Sequence, residues 1–262
     1  MMTSGQHTSG RLLLLGEEYG TWSGIASTQV GSLAAAAISV GADEQSPSSQ
    51  FKYDDNVDNE DALCVISTPE WVGLAVADAH YGPESSHMLI SRLHNVWAKV
   101  RPTDPHHLGE MVEFLRMGEP PETESETTLL VATYDRETRV GFGVSFGDSS
   151  LVVTGPGRDA KTMNPHDTRF VTAAHRNSLR HGSQFEFKAS PGDLILAFTD
   201  GIDGCHYRNP ETSVQLADIT RVAEESAFDP LKTIVDLTQL ALDGVRGNPG
   251  GQDNIAILAA KA

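Results

Sequence analysis

The segment "ALCVISTPEWVGLAVADAHYG" (Ala62–Gly82) contains two apolar runs separated by the tetrapeptide TPEW. Short apolar runs on either side of a few turn residues are typical of a β-hairpin. We therefore expect strands at Ala62–Ser67 and Val72–Ala77. The second run ends at a carboxylate, Asp78, and an imidazole, His80, follows two residues later. A buried strand that delivers an acid and a histidine at its tip indicates a functional site.

Apolar patterns on both sides of this hairpin predict groups of strands alternating with pairs of helices. A short buried strand is expected within Ser32–Val40, before the hairpin. After the hairpin, the patterns predict helices at 84–100 and 105–116, strands at 127–134, 139–146, 150–155, 183–189 and 193–199, helices at 213–227 and 230–246, and a last strand at 254–262. A parallel doubly wound sheet would place a helix after nearly every strand. The observed order favours the α+β class, with antiparallel sheets and helices segregated to their faces.

Residues 1–32 are rich in Gly, Ser and Thr and have little periodicity. We expect them to form a loosely ordered N-terminal arm in front of one domain at 33–262. The polar, acidic stretch 42–59 has the composition of a loop, and residues 155–182 are expected to be the least regular part of the domain.

The chain of 262 residues carries a formal net charge of −17, which argues against nucleic acid and anionic membranes as partners. Divalent cations suit such a charge better. The two cysteines, Cys64 and Cys205, form no CxxC pair, which excludes a thiolate zinc site and a disulfide framework. Neither a signal peptide nor a membrane span is recognisable in the sequence. A cytoplasmic protein is expected.

Acidic residues stand at one end of each of four predicted apolar strands. Glu60 and Asp61 precede the first hairpin strand, Asp78 ends the second, Asp200 ends the strand at 193–199, and Asp253 precedes the last strand. In antiparallel sheets the start of one strand lies beside the end of its neighbour, so all four ends can meet at one edge. Clustered carboxylates repel one another unless cations neutralise them, and oxygen ligands of this kind suit Mg²⁺ or Mn²⁺. Two such ions activate a water for attack on a phosphoryl group.

Each acid also has a plainer interpretation, because Asp and Glu beside strands commonly form turns or protect sheet edges. Only the combination of four strand ends favours a metal site. The same caution applies to His80, because isolated histidines are usually structural. Its position just past a strand-ending Asp fits a general acid instead. We treat the remaining candidates as structural: His166, His175, His181, His206 and the turn Gly147–Asp148–Ser149.

A series of motifs resembles the type 2C (PPM) family of metal-dependent serine/threonine protein phosphatases, in that family's order. The motifs are "NEDA" (59–62), "LAVADAHYG" (74–82), "ETTLLVA" (126–132), "FGDSSLVV" (146–153), "GDLILAFTDGID" (192–203) and "GGQDNIAIL" (250–258). No single motif is decisive, but six in order over most of the chain identify a divergent, bacterial-type member. The resemblance implies a β-sandwich of two antiparallel sheets with paired helices on the outer faces.

The resemblance also implies roles for individual residues. Asp78 would contact two Mg²⁺ or Mn²⁺ ions, and the carbonyl of Ala79 would bind one of them. Asp200 and Asp253 would complete the other ion's ligands, Glu60 and Asp61 would hold metal-bound waters, and Asn254 and Gly201 would support the site. A metal-bridging water would attack phosphorus in line while His80 protonates the departing serine or threonine oxygen. The implied partner is a phosphoprotein, the target of a serine/threonine kinase.

This sequence departs from the family pattern next to the catalytic motif. The usual Asp-Gly-His-Gly-Gly appears as Asp78–Ala79–His80–Tyr81–Gly82, which adds an aromatic ring beside the catalytic face. Where many members carry a phosphate-binding arginine the chain has Asn56, and the nearest cation is Lys52.

The ligand set of a third metal is also altered. The usual acid falls near Thr123, where Glu122 or Glu124 would have to substitute, and Glu126 replaces a glycine. Three functions therefore stay open: a phosphoprotein phosphatase, a phosphatase-like binding or regulatory module with little catalysis, and a phosphatase of small phosphorylated molecules.

Overall fold

The computed structural model describes residues 9–19, 24–41, 59–116, 125–172, 182–206 and 209–262. The strands in these ranges are β1 Gly10–Leu15, β2 Ala26–Val30, β3 Ala34–Ser39, β4 Ala62–Ser67, β5 Trp71–Ala77, β6 Ala79–His80, β7 Glu126–Thr127, β8 Leu129–Asp135, β9 Val140–Phe146, β10 Ser150–Gly155, β11 Arg158–Thr162, β12 Val171–Thr172, β13 Ser183–Lys188, β14 Leu194–Phe198 and β15 Ile255–Lys261. The helices are α1 Glu84–Trp97, α2 Pro105–Arg116, α3 Asp200–Asp203, α4 Leu216–Glu225 and α5 Pro230–Asp243.

Two six-stranded antiparallel sheets form the framework. The first sheet has the order β1-β4-β5-β8-β9-β13, and the second has the order β11-β10-β14-β15-β3-β2. A small ribbon of β12, β7 and β6 lies next to the end of β5. Helices α1 and α2 pack on the first sheet, and α4 and α5 pack on the second. The predicted α+β class, with two antiparallel sheets and paired outer helices, is confirmed.

The layered arrangement explains why the strands are apolar along their whole length. In β4, Leu63 and Val65 point into the core between the sheets, whereas Cys64 and Ile66 point toward the helices. Both faces of the strand are buried, so its sequence runs apolar without alternation. The predicted hairpin is confirmed, and its register pairs Ala62 with Ala77.

The structure of the N-terminal residues differs from the loose arm that their composition predicted. Residues 10–15 and 26–30, expected to be a loose arm, are the edge strands β1 and β2 of the two sheets. The reason is strand pairing, since β1 aligns antiparallel with the distant strand β4, and β2 pairs antiparallel with β3, which follows it directly. Residues 155–182 likewise contribute β11 and β12. Residues 1–8 and most of the acidic stretch 42–59 lie outside the described ranges.

Helix α5 ends earlier than its periodicity predicted. Asp229 caps its start by accepting a hydrogen bond from the backbone N–H of Lys232 at 2.8 Å, with Pro230 in the first turn. The helix ends at Asp243 because Gly244 has a φ of 78°, a left-handed conformation that glycine tolerates. No helix within the described part of the chain is long and apolar enough to cross a membrane.

Candidate metal centre

The ends of β4 and β5 place two buried acids side by side. The strands pair up to Ala62 and Ala77, so Asp61 and Asp78 stand just beyond the last pair. Asp61 is fully buried, and Asp78 is 6% exposed. The continuous apolar pairing of the hairpin thus carries both carboxylates to one edge of the first sheet.

The backbone of Asp78 is held by two threonines. Its carbonyl accepts hydrogen bonds from the Thr128 N–H and the Thr127 hydroxyl, both at 2.8 Å. Its N–H donates to the Thr128 hydroxyl at 3.1 Å, and that hydroxyl lies 2.9 Å from the Ser149 hydroxyl. The "ETT" motif therefore positions this acid, a role that the strand pattern alone did not reveal.

The second sheet brings Asp200 and Asp253 to the same region of the molecule. Strands β14 and β15 pair up to Phe198 and Ile257, and the Thr199 N–H donates to the Ala256 carbonyl at 3.0 Å. The helix α3 that starts at Asp200 rests directly on the segment before β15, because a Cβ on Gly201 would lie 1.9 Å from the Asn254 carbonyl oxygen. Asp253 is 5% exposed and accepts a hydrogen bond from the Asn254 N–H at 2.7 Å.

Two buried hydrogen bonds join the acids of the first sheet to the second sheet. The Glu60 N–H donates to Asn254 Oδ1 at 2.9 Å, and the Thr199 hydroxyl donates to Asp61 Oδ2 at 2.7 Å. The structure therefore gathers the four acid-bearing strand ends at one edge of the sandwich. The assignment of these residues as metal ligands remains a prediction.

His80 lies at this edge in the small ribbon. Strand β6 pairs with β7, with Ala79 opposite Thr127 and His80 opposite Glu126. The Gly82 N–H then donates to Glu60 Oε1 at 2.6 Å, which ties the turn after His80 to the acid group. The chain thus places His80 between Asp78 and a turn that Glu60 holds, and Ala79 is almost fully buried.

The chemistry of this donor set fits hard divalent cations. Glu60, Asp61, Asp78 and Asp253 are all less than 9% exposed, and buried carboxylates are costly unless a cation or hydrogen bonds compensate their charge. Carboxylate and carbonyl oxygens are the ligands that Mg²⁺ and Mn²⁺ prefer. Within the described ranges, no group of three or more His, Cys, Asp or Glu side chains is arranged so that it could hold a metal ion.

Asp203 is a further acid near this edge that the sequence analysis overlooked. It accepts a hydrogen bond from the Ser150 hydroxyl at 2.9 Å, and that hydroxyl lies 3.1 Å from His166 Nε2. Its spacing three residues after Asp200, within one helical turn, was the available signal. Desolvation, followed by the charges of Asp200 and Asp148, raises the pKa of Asp203 to about 7, against the opposing hydrogen bond from Ser150.

Asp203→Asn is expected to change the pH dependence of unfolding of the metal-free protein. An aspartate in an unfolded chain titrates near pH 4. Between about pH 4 and 7 the folded Asp203 therefore holds a proton that the unfolded chain lacks, so wild-type stability falls as pH rises through this window. Because asparagine does not titrate, the unfolding free energy of the variant should fall less steeply with pH, by up to about 1 kcal/mol per pH unit. Urea unfolding in EDTA from pH 5.5 to 8 measures the unfolding free energy of both proteins. If the two free energies changed with pH in parallel, the raised pKa of Asp203 would be contradicted.

Several residues at which the sequence departs from the type 2C family pattern lie outside the described ranges. These are Lys52, Asn56, Glu122, Thr123 and Glu124. Glu126 is described and pairs with both His80 and Thr172 across the ribbon. Gly147–Asp148–Ser149 forms the predicted turn between β9 and β10, with Gly147 at a φ of 85°.

Comparison with known proteins gives both a sequence family and structural relatives. Residues 84–262 match the family model described as Stage II sporulation protein E (SpoIIE). The structure is similar to the catalytic domain of the serine/threonine protein phosphatase PstP in complex with two manganese ions, with a TM-score of 0.64 and 19% identity over 87% of this chain and 96% of that one. No curated protein matches the sequence significantly.

Two further solved structures share this architecture. The Mycobacterium tuberculosis serine/threonine phosphatase PstP/Ppp has a TM-score of 0.64 and 18% identity, over 87% of this chain and 97% of that one. RsbX in complex with magnesium has a TM-score of 0.57 and 12% identity, over 91% of this chain and 100% of that one. At such identities the likeness establishes a common fold.

Proposed function

The chain belongs to the stage II sporulation protein E family, and from that premise we propose that it is a metal-dependent phosphatase of phosphoserine and phosphothreonine in proteins. One observation carries the proposal. Four strand ends with carboxylates meet beside His80, in a fold shared with serine/threonine phosphatases. The proposed catalytic domain comprises residues 33–262 together with β1 and β2, the edge strands of its two sheets. The proposed substrate is a cytoplasmic target of a serine/threonine kinase.

The proposed ligands divide between the two sheets. Asp78 is assigned to both Mg²⁺ or Mn²⁺ ions and the carbonyl of Ala79 to one of them, while Asp200 and Asp253 are assigned to the other. Such ions neutralise phosphate charge and activate a water for in-line attack. The threonine hydrogen bonds to Asp78 keep its backbone fixed, which preorganises this side of the site.

The remaining residues orient the ligands and move a proton. Glu60 and Asp61 are assigned to waters around the ions, and both are restrained by hydrogen bonds to Gly82 and Thr199. Asn254 maintains the contact between the sheets through its bond to the Glu60 N–H, and Gly201 allows α3 to pack closely on Asn254 within the second sheet. His80 is assigned as the general acid that protonates the leaving oxygen, because an imidazole titrates near working pH.

Hydrolysis assays with and without metal test the proposal. A phosphothreonine peptide and p-nitrophenyl phosphate are each incubated with the protein in EDTA, Mg²⁺ or Mn²⁺. Turnover of both substrates that requires the metal is the expected result. Turnover of the small ester alone would favour a phosphatase of small phosphorylated molecules. Folded protein that turns over neither substrate with either metal would contradict an enzyme and favour a binding or regulatory module.

A further inference from the structure

Tyr81 has an unusual combination of strain and exposure. Its φ is 64°, a left-handed conformation that is costly for a bulky side chain. Its side chain is 76% exposed, so the folded protein gains little from burying the ring. A residue that costs stability without packing into the core indicates a function outside the core.

The turn that carries Tyr81 is fixed on its C-terminal side by two hydrogen bonds. The Gly82 N–H donates to Glu60 Oε1 at 2.6 Å, and the Gly82 carbonyl accepts from the Ser125 hydroxyl at 2.5 Å. On the other side, His80 is paired with Glu126 in the ribbon. Because both neighbours are held, the strained conformation persists and the ring projects from a fixed position.

A second aromatic residue completes an aromatic pair around His80. The Tyr81 ring lies 6.4 Å from the His80 ring at 73°, and the Phe170 ring lies 5.1 Å from it at 56°. Phe170 reaches this position because the next residue, Val171, pairs with Thr127, which in turn pairs with Ala79. The turn after β6 and the residue before β12, far apart in sequence, therefore each place one aromatic ring beside His80.

We propose that the aromatic pair, Tyr81 and Phe170, selects phosphopeptides in which a large apolar residue adjoins the phosphorylated serine or threonine. This inference rests on the proposed function. A general acid must lie within hydrogen-bond reach of the leaving oxygen, so the phosphorylated serine or threonine lies close to His80. The Cα atoms of its neighbours in the peptide are only about 3.8 Å from its own Cα, so their side chains meet the rings beside His80. Rigid aromatic side chains give such a contact area at a low entropic cost.

The test measures binding, so that recognition is separated from turnover. Labelled peptides carry a non-hydrolysable phosphonate analogue of phosphothreonine, flanked on both sides by leucine or by glycine, and are titrated in Mn²⁺. The wild type is expected to bind the leucine-flanked peptide about tenfold more tightly than the glycine-flanked one. Tyr81→Asn, which tolerates the left-handed backbone, should reduce that ratio to about twofold or less, and Tyr81→Phe should retain it.

Phe114→Ala provides the matched control, since Phe114 is an aromatic residue that is 68% exposed on α2, and it should leave the ratio unchanged. Hydrolysable versions of both peptides are assayed in parallel. Turnover without discrimination, or discrimination that survives in Tyr81→Asn, would refute the aromatic-pair inference and leave the phosphatase intact. Discrimination without turnover would refute the proposed activity and retain the recognition surface. Folded protein that binds neither peptide would contradict both.

Discussion

Asp200→Asn is expected to lower metal-dependent hydrolysis of a phosphothreonine peptide by about a thousandfold or more, because the loss of one ligand removes several kcal/mol of transition-state stabilisation. The substitution keeps the size of the side chain and removes its charge. Asp200 starts α3 two residues after the end of the buried strand β14, so the backbone holds the asparagine in the same place as the acid. The variant should therefore fold normally and fail in metal binding.

Activity and Mn²⁺ binding are measured together to separate these effects. The variant is expected to bind Mn²⁺ more weakly in calorimetry while its circular dichroism spectrum matches wild type. Asp243→Asn makes the same change in charge on the exposed end of α5, and it should retain activity within about twofold. Equal turnover by Asp200→Asn and wild type would show that this carboxylate is not a ligand.

The strand pattern predicted the sandwich well because its information is local. Continuous apolar runs such as Val72–Ala77 are long enough to specify buried strands, and their order with the helix pairs specified the α+β class. The type 2C resemblance, carried by the motifs, is confirmed by the family model and the shared fold. Strand β1 was missed because its partner β4 is remote in the chain. Strand β2 was missed because its short sequence ASTQV is mostly polar, although its partner β3 follows it directly.

The candidate site was predictable only in part. Antiparallel order was sufficient to expect that the acids at four strand ends share an edge. Nothing local indicates that Asn254 accepts from the Glu60 N–H, 194 residues away, or that Thr199 donates to Asp61. The strained backbone of Tyr81 is equally invisible in the sequence, because it depends on how Gly82 is held by Glu60 and Ser125.

Gly201→Ala is expected to destabilise the protein by about 3 kcal/mol and to weaken Mn²⁺ binding. The added Cβ would lie 1.9 Å from the Asn254 carbonyl oxygen and 2.9 Å from Ile255 Cγ1. The start of α3 and the segment before β15 directly adjoin paired strands, and the Thr199 N–H donates to the Ala256 carbonyl between them, so neither can move aside without cost. Because this contact joins the proposed ligands Asp200 and Asp253, strain here acts on stability and on the metal site together.

Gly109→Ala is the matched control, since Gly109 is also helical and its added Cβ would meet only the amide nitrogen of the Gln184 side chain, at 3.1 Å. A flexible side chain can shift, and alanine favours a helix over glycine by about 1 kcal/mol, so this variant should be as stable as wild type or more so. Urea unfolding in EDTA gives the stability of each variant, and Mn²⁺ titration gives its metal affinity. If Gly201→Ala matched Gly109→Ala in both stability and Mn²⁺ affinity, α3 could move away from β15 freely. Asp200 and Asp253 would then not form one preorganised site.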